Sequence, residues 1–209
     1  ANTLKYVYMA TGANFGNMFS MAGASLFLPF LPMLPEQILL INFLTDLPEM
    51  TIAGDNVDPI FVQEPHRWDV AFIRRFMLIF GPLSSVFDYL TFGLMLLLRA
   101  DPALFRTGWF IESLVTQILM IFAVRTHRHL FGSRPHPSVT LLALGASVLT
   151  VALPFLPIAS WFDFVVPTTS YFAFLAIAVT VFLVLIGTAK RPFYARLVPA
   201  AQRHRAEAV

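Results

Sequence analysis

The chain has no cysteine, which excludes disulfides, thiolate metal sites and iron–sulfur clusters. It is also poor in charge: 12% of its residues are Asp, Glu, Lys or Arg, where a soluble domain carries about 25%. No glycine-rich phosphate loop, nucleophile elbow or zinc-binding helix motif occurs, so the common nucleotide, hydrolase and metalloprotease sites are excluded as sequence motifs. Nothing matches a nucleic-acid-binding module, and no nucleic-acid partner is expected. Internal repeats and low-complexity tracts are lacking, as is the strand alternation of a membrane barrel.

What remains is apolar. Hydrophobic residues make up 57% of the chain and 22 of its 209 residues are Phe, the composition of a membrane protein whose first partner is the lipid bilayer. A crossing needs about 20 apolar residues. Six such segments run near 11–34, 36–54, 73–98, 108–125, 138–158 and 164–189. Pro29, Pro32 and Pro35 mark a helix end and a tight loop, so 11–54 reads as a helical hairpin. The longer connections, 55–72 and 126–137, are polar and rich in Arg, His, Asp and Pro. The expected fold is an all-α membrane protein with six transmembrane helices.

Basic residues set the expected orientation. With the N-terminus cytoplasmic, Lys5, Arg67, Arg74, Arg75, Arg125, Arg128, Arg134 and the basic tail from Lys190 onward lie inside. Only Arg99 and Arg106 lie outside, and both termini come out cytoplasmic. Trp109 and Trp161 then fall near outer span ends, where indoles favour the interface, and Trp68 falls in a cytoplasmic connection. Arg196, Arg203 and Arg205 read as a tail facing anionic lipid.

Polar groups at membrane depth carry the chemistry, because an ionisable side chain there costs several kcal/mol. Asn42, Thr45, Asp46 and Glu49 fall within one narrow arc of a helix. Pro48 has no N–H to give the carbonyl of Leu44, so the same face offers an amide, a hydroxyl, two carboxylates and a freed carbonyl. That is a candidate cation site, with Asp46 as its main charge and Glu49 a secondary candidate nearer the cytoplasmic end. Asn14 and Asn17 share a face of the first span, followed on the same side by Ser20. They read either as interhelical hydrogen-bonding groups beside the small residues Gly12, Gly16, Ala22, Gly23 and Ala24, or as ligands facing the Asp46 helix.

Asp88 follows Ser84 and Ser85 after the kink-prone Gly81-Pro82, and stands between a hydrogen-bond node and a site contributor. Glu112, with Thr116 one turn on and Gln117 pointing elsewhere, is read as a site residue in competition with a snorkelling role. The fifth and sixth spans hold only Ser and Thr at depth and read as lipid-facing or supporting helices. His127, His129 and His136 have no Cys or carboxylate at ligand spacing and read as solvated loop.

The run from Asn14 to Asp58 (Asn-Phe-Gly-Asn, the proline-rich turn, Ile-Asn-Phe-Leu-Thr-Asp-Leu-Pro-Glu, then Asp-Asn-Val-Asp-Pro) resembles the fifth and sixth transmembrane helices of P-type cation-transporting ATPases. Asn42, Thr45 and Asp46 match that family's sixth-helix ion-ligand pattern, and Asn14 and Asn17 its fifth-helix positions. Two stretches look more like the bacterial magnesium-transporting subgroup. One is Arg75 to Asp88 (Arg-Phe-Met-Leu-Ile-Phe-Gly-Pro-Leu-Ser-Ser-Val-Phe-Asp). The other is Thr107 to Gln117 (Thr-Gly-Trp-Phe-Ile-Glu-Ser-Leu-Val-Thr-Gln), continuing to Val124-Arg-Thr.

The resemblance implies helices five to ten of such a pump, in a cell membrane of bacterial inner-membrane type, with Mg2+ as the transported ion. ATP would be used only by domains outside this chain, which carries no Asp-Lys-Thr-Gly phosphorylation sequence and should not hydrolyse ATP alone. The chain begins with Ala1 rather than Met and is therefore expected to be a piece of something longer, its partner being the N-terminal part of the pump. A calcium or other cation pump fragment, and a stand-alone six-span transporter or accessory protein, are the alternatives. Calcium pumps carry an acidic residue where Asn17 stands. Magnesium dehydrates reluctantly and is held by one or two carboxylates with retained waters. Asp46 with Asn14, Asn17, Asn42, Thr45 and Glu112 suits such an ion.

Overall fold

A computed structural model describes residues 2–56, 70–125 and 134–197. Trp68, His127, His129, Arg203 and Arg205 lie outside the described residues. Among those described, every regular element is helical. The α-helices are α1 (Asn2–Ala24), α2 (Pro35–Met50), α3 (Val70–Leu97), α4 (Pro102–Val124), α5 (Pro137–Ala152) and α6 (Thr169–Leu197). Short 3-10 turns cover Thr51–Gly54, Leu153–Phe155 and Pro157–Phe162.

Four helical stretches are long and apolar enough to cross a membrane: Ile73–Leu97, Pro102–Val124, Pro137–Phe155 and Thr169–Lys190. The other two expected spans are helices of a different kind. α1 carries Asn2, Thr3, Asn14, Asn17 and Ser20 along its length, and α2 has only 16 residues. α1 also starts nine residues before the apolar run and ends at Ala24, well before the prolines. Residues 25–34 are turns and bends rather than a helical extension.

Local chemistry fixes the helix ends. Pro35 and Pro102 occupy the first helical positions, where a missing N–H costs nothing. The Gln37 side chain accepts from the Leu34 N–H at 3.0 Å, and Asp101 accepts from the Leu104 N–H at 2.8 Å as the α4 cap. Pro48 lies inside α2, which tightens directly afterwards into the 3-10 turn, with the Thr51 hydroxyl donating to the Pro48 carbonyl at 2.7 Å.

α4 is the central helix: 89% of its apolar window is buried inside the bundle, against 39% or less for the three other crossing-length stretches. α5 and α6 instead expose Leu141, Val148, Ile177 and Val184, the faces of helices that meet lipid. α1 packs chiefly on α3 through small residues. A Cβ on Gly16 would stand 3.2 Å from the Gly81 carbonyl oxygen, and one on Gly12 would meet the Phe76 ring. α2 rests on α5 and α4 more than on α1. The expected hairpin is therefore splayed, and a cleft opens between its two arms.

Candidate cation site

The cleft between α1 and α2 holds a pocket of about 470 Å3, lined by Asn14, Asn17, Met18 and Met21 of α1, by Ile38, Ile41 and Asn42 of α2, and by Met33 and Trp109. Three of the sequence-predicted residues, Asn14, Asn17 and Asn42, thus converge on one space. Asn14 and Asn42 are exposed to it. Asn17 is held from behind: its Oδ1 accepts from the Ser113 hydroxyl at 2.9 Å and its Nδ2 donates to Gln117 Oε1 at 3.2 Å. Its carbonyl oxygen keeps one lone pair for a ligand.

Gln117 accordingly faces α1, away from the Glu112 and Thr116 side of its helix, a direction in which the sequence alone showed no partner. Ser113 was not singled out at all. Its signal was available, because it stands four residues before Gln117 and so shares that face.

The polar arc of α2 divides. Thr45 is buried and its hydroxyl donates within its own helix, to the carbonyls of Ile41 at 3.0 Å and Asn42 at 3.1 Å. Asp46 is exposed on the Asn42 side. Glu49 is buried and turns toward the start of α1, where it lines a second pocket of about 250 Å3 with Asn2, Thr3, Tyr6, Met50 and Ala53. The structure therefore groups Asn14, Asn17 and Asn42, leaves Asp46 exposed outside the pocket lining one turn on from Asn42, and places Glu49 apart.

Asp88 and Glu112 sit deeper, outside the pocket lining. Asp88 Oδ2 accepts from the Ser20 hydroxyl at 2.6 Å and Oδ1 from the Trp109 indole at 2.8 Å. Trp109 is 1% exposed, which corrects its expected place at the interface: its ring packs edge-on to Phe92 inside the bundle and its N–H is committed to Asp88. Trp161, by contrast, is 75% exposed. His136 caps α5, its ring nitrogen 2.7 Å from the Ser138 hydroxyl. Among the described residues, no three His, Cys, Asp or Glu side chains cluster as a metal site. Any cation here would be held mainly by neutral oxygens.

The profile described as "Cation transporting ATPase, C-terminus" matches residues 30–192 of this sequence. The chain belongs to that family. Among curated relatives, the chain is 42% identical over 205 residues to a Salmonella typhimurium protein named "Magnesium-transporting ATPase, P-type 1", covering 94% of the chain and 22% of the relative. It is 41% identical to the protein of that name from Escherichia coli K12, with the same coverage. A further Salmonella typhimurium protein of the same name is 36% identical over 199 residues, covering 92% of the chain and 22% of the relative. The chain spans about a fifth of the length of these relatives. Like the family to which it belongs, it is a multi-pass membrane protein, with four helical stretches of crossing length among its described residues.

Proposed function

We propose that this chain is the cation-binding transmembrane part of an ATP-driven magnesium transporter, working with an N-terminal partner region that supplies phosphorylation and ATP use. The observation that carries this reading is the convergence of Asn14, Asn17 and Asn42 on one pocket, with the exposed Asp46 one helical turn on from Asn42. The names of the relatives support magnesium as the ion. Amide oxygens, one strong carboxylate and room for water match an octahedral ion that sheds its hydration shell reluctantly.

In this reading the chain crosses a bacterial inner membrane six times, with α1 and α2 as the first two crossings and both termini cytoplasmic. The distribution of basic groups supports that orientation. Arg125 and Lys190 lie at one end of the bundle, Arg106 at the other. Asp46 supplies the charge, Asn14 and Asn42 are free to turn toward the ion, and Asn17 forms the fixed wall. Glu49 guards the cytoplasmic side. Phosphorylation in the partner region shifts α1, which widens or closes the cleft against α2 and alternates access to the site.

The test is Asp46→Asn in the intact pump. Magnesium-stimulated phosphoenzyme turnover is expected to be lost while expression stays normal. Turnover and transport at wild-type rates would remove Asp46 from the mechanism.

A further inference from the structure

The second pocket, of about 250 Å3, opens where the start of α1 meets the end of α2, between Asn2, Thr3 and Tyr6 on one wall and Glu49, Met50 and Ala53 on the other. Glu49 is 3% exposed, and its carboxylate has no hydrogen bond or ion pair among the described residues. The Oδ1 of Asn2 is likewise buried without a hydrogen-bond partner. The amide cannot be turned to relieve it. Its Nδ2 donates to the carbonyls of Ala53 at 3.0 Å and Asp55 at 2.9 Å, and a carbonyl oxygen receives nothing from another oxygen.

A buried acceptor without a donor is costly, and a buried carboxylate without a counter-charge is costlier. Two such groups on one pocket call for an occupant that takes electron pairs. The buried basic groups at this end of the bundle are committed elsewhere: Arg125 to the Asp55 carboxylate and the Arg134 carbonyl, Lys190 to the Ala123 carbonyl. An anion is excluded by the charge of Glu49. Thr3 and Tyr6, both exposed, bring two hydroxyls to the same wall. A water takes about 30 Å3 in the liquid, so the pocket has room for several. One carboxylate, an amide oxygen, hydroxyls and retained waters form the oxygen set of a small divalent cation.

We propose that this pocket is a divalent-cation site separate from the amide pocket, with Glu49 as its charge and Asn2 Oδ1 as its pre-positioned neutral ligand. Glu49 shares the α2 arc with Asn42 but stands about two helical turns on and lines a different space. An ion here bridges α1 and α2. It also draws electron density from the Asn2 amide, which makes Nδ2 a stronger donor to the Ala53 and Asp55 carbonyls. Asp55 is in turn held by Arg125 of α4. The occupied pocket thus pins the start of α1 to the end of α2, the two helices between which the amide pocket opens. The site goes beyond the proposed transport of magnesium and stands whether or not the amide pocket holds the transported ion.

Mn2+ takes the same octahedral oxygen coordination as Mg2+ and is paramagnetic, so it serves as the probe. The intact pump in lipid nanodiscs is titrated with Mn2+ alone, without nucleotide, and the bound ion is counted from the loss of the free-ion EPR signal. Glu49→Gln is expected to bind one Mn2+ fewer than its parent, both in the otherwise unchanged pump and in Asp46→Asn. Glu49→Asp, which keeps the charge and shortens its reach, should retain that ion with an affinity several-fold lower. Equal counts and affinities in Glu49→Gln and its parent would overturn the proposal, as when a basic side chain of the partner region fills the pocket. An unchanged affinity in Glu49→Asp would do the same. So would loss of the Glu49-dependent ion in Asp46→Asn alone, which would make Glu49 a part of the amide site. The transport reading fails separately, on wild-type turnover in Asp46→Asn.

Discussion

Asn14 and Asn17 are one helical turn apart on the same face, yet the structure gives them different work. Asn17 is tied to Ser113 and Gln117, both buried, so its amide is oriented before any ion arrives. Asn14 is exposed in the pocket. Asn17→Ala leaves a buried hydroxyl and a buried amide short of a partner, a loss of about 1–3 kcal/mol. Its thermal midpoint in detergent should fall, and magnesium stimulation should weaken with it. Asn14→Ala removes no hydrogen bond, so its midpoint should stay close to wild type while the magnesium concentration for half-maximal ATPase stimulation rises several-fold. Equal midpoints for the two variants would show that Asn17 is not held as described.

The convergence of these amides was legible in the sequence. Helical spacing put Asn14 and Asn17 on one face, with Asn42 on the next helix after a proline-rich connection. The facing of Gln117 was not legible, because it depends on which helix lies across from α4. The position of Trp109 was lost for the same reason: hydropathy places an indole at a span end and carries no information about a buried carboxylate waiting on α3. The division of the α2 arc into pocket-facing Asn42, exposed Asp46 and inward Glu49 rests on the splay of α1 from α2, which no periodicity encodes.

At the scale of the element, the α1–α3 seam decides whether the site exists. Gly16 lets the two backbones approach, and the Ser85 hydroxyl crosses the gap to the Gly16 carbonyl at 3.1 Å while also meeting the Gly81 carbonyl at 3.2 Å. A large side chain at 16 has backbone in its way, so the helices must part. Gly16→Leu should destabilise by about 1–3 kcal/mol and lower ion-stimulated activity, since Ser20 and Asn17 ride on the same helix. At Gly23 a new Cβ collides only with the far end of the Tyr89 side chain, which can swing away. Gly23→Ala should therefore fold with a midpoint close to wild type. Thermal melts of the two variants in the same detergent provide the comparison, and a Gly23→Ala loss as large as that of Gly16→Leu would show that the seam is not limited by backbone contact.

The α1 helix begins at Asn2, nine residues before the apolar run near residue 11, for an identifiable reason. An apolar run marks where a helix can sit in lipid, whereas residues 2–10 hold no proline or glycine and continue the same helix. That extension places Asn2 beside the end of α2, where its Nδ2 donates to the carbonyls of Ala53 at 3.0 Å and Asp55 at 2.9 Å.

Across the whole molecule, that end of the bundle is closed by one buried ion pair. The Arg125 guanidinium donates to both oxygens of Asp55, at 2.9 and 3.2 Å, and to the Arg134 carbonyl at 3.1 Å, while the His136 N–H reaches Asp55 at 3.0 Å. With Asn2 on the Asp55 carbonyl and Lys190 on the Ala123 carbonyl, these contacts join α1, the end of α2, α4, the approach to α5, and α6. The partners are 70 residues apart, so the sequence could show each charge but not the pair. Truncating one member leaves the other buried without its main counter-charge, which costs about 3–5 kcal/mol, whereas replacing both by apolar groups of similar size is often close to neutral. Arg125→Met and Asp55→Leu should therefore each lower the thermal midpoint sharply, and the double variant should recover most of the loss. Recovery of stability in the double variant without recovery of ion-stimulated turnover would identify the pair as the joint through which movement of α1 reaches the other helices. Additive losses would mean that the two charges stabilise the bundle independently.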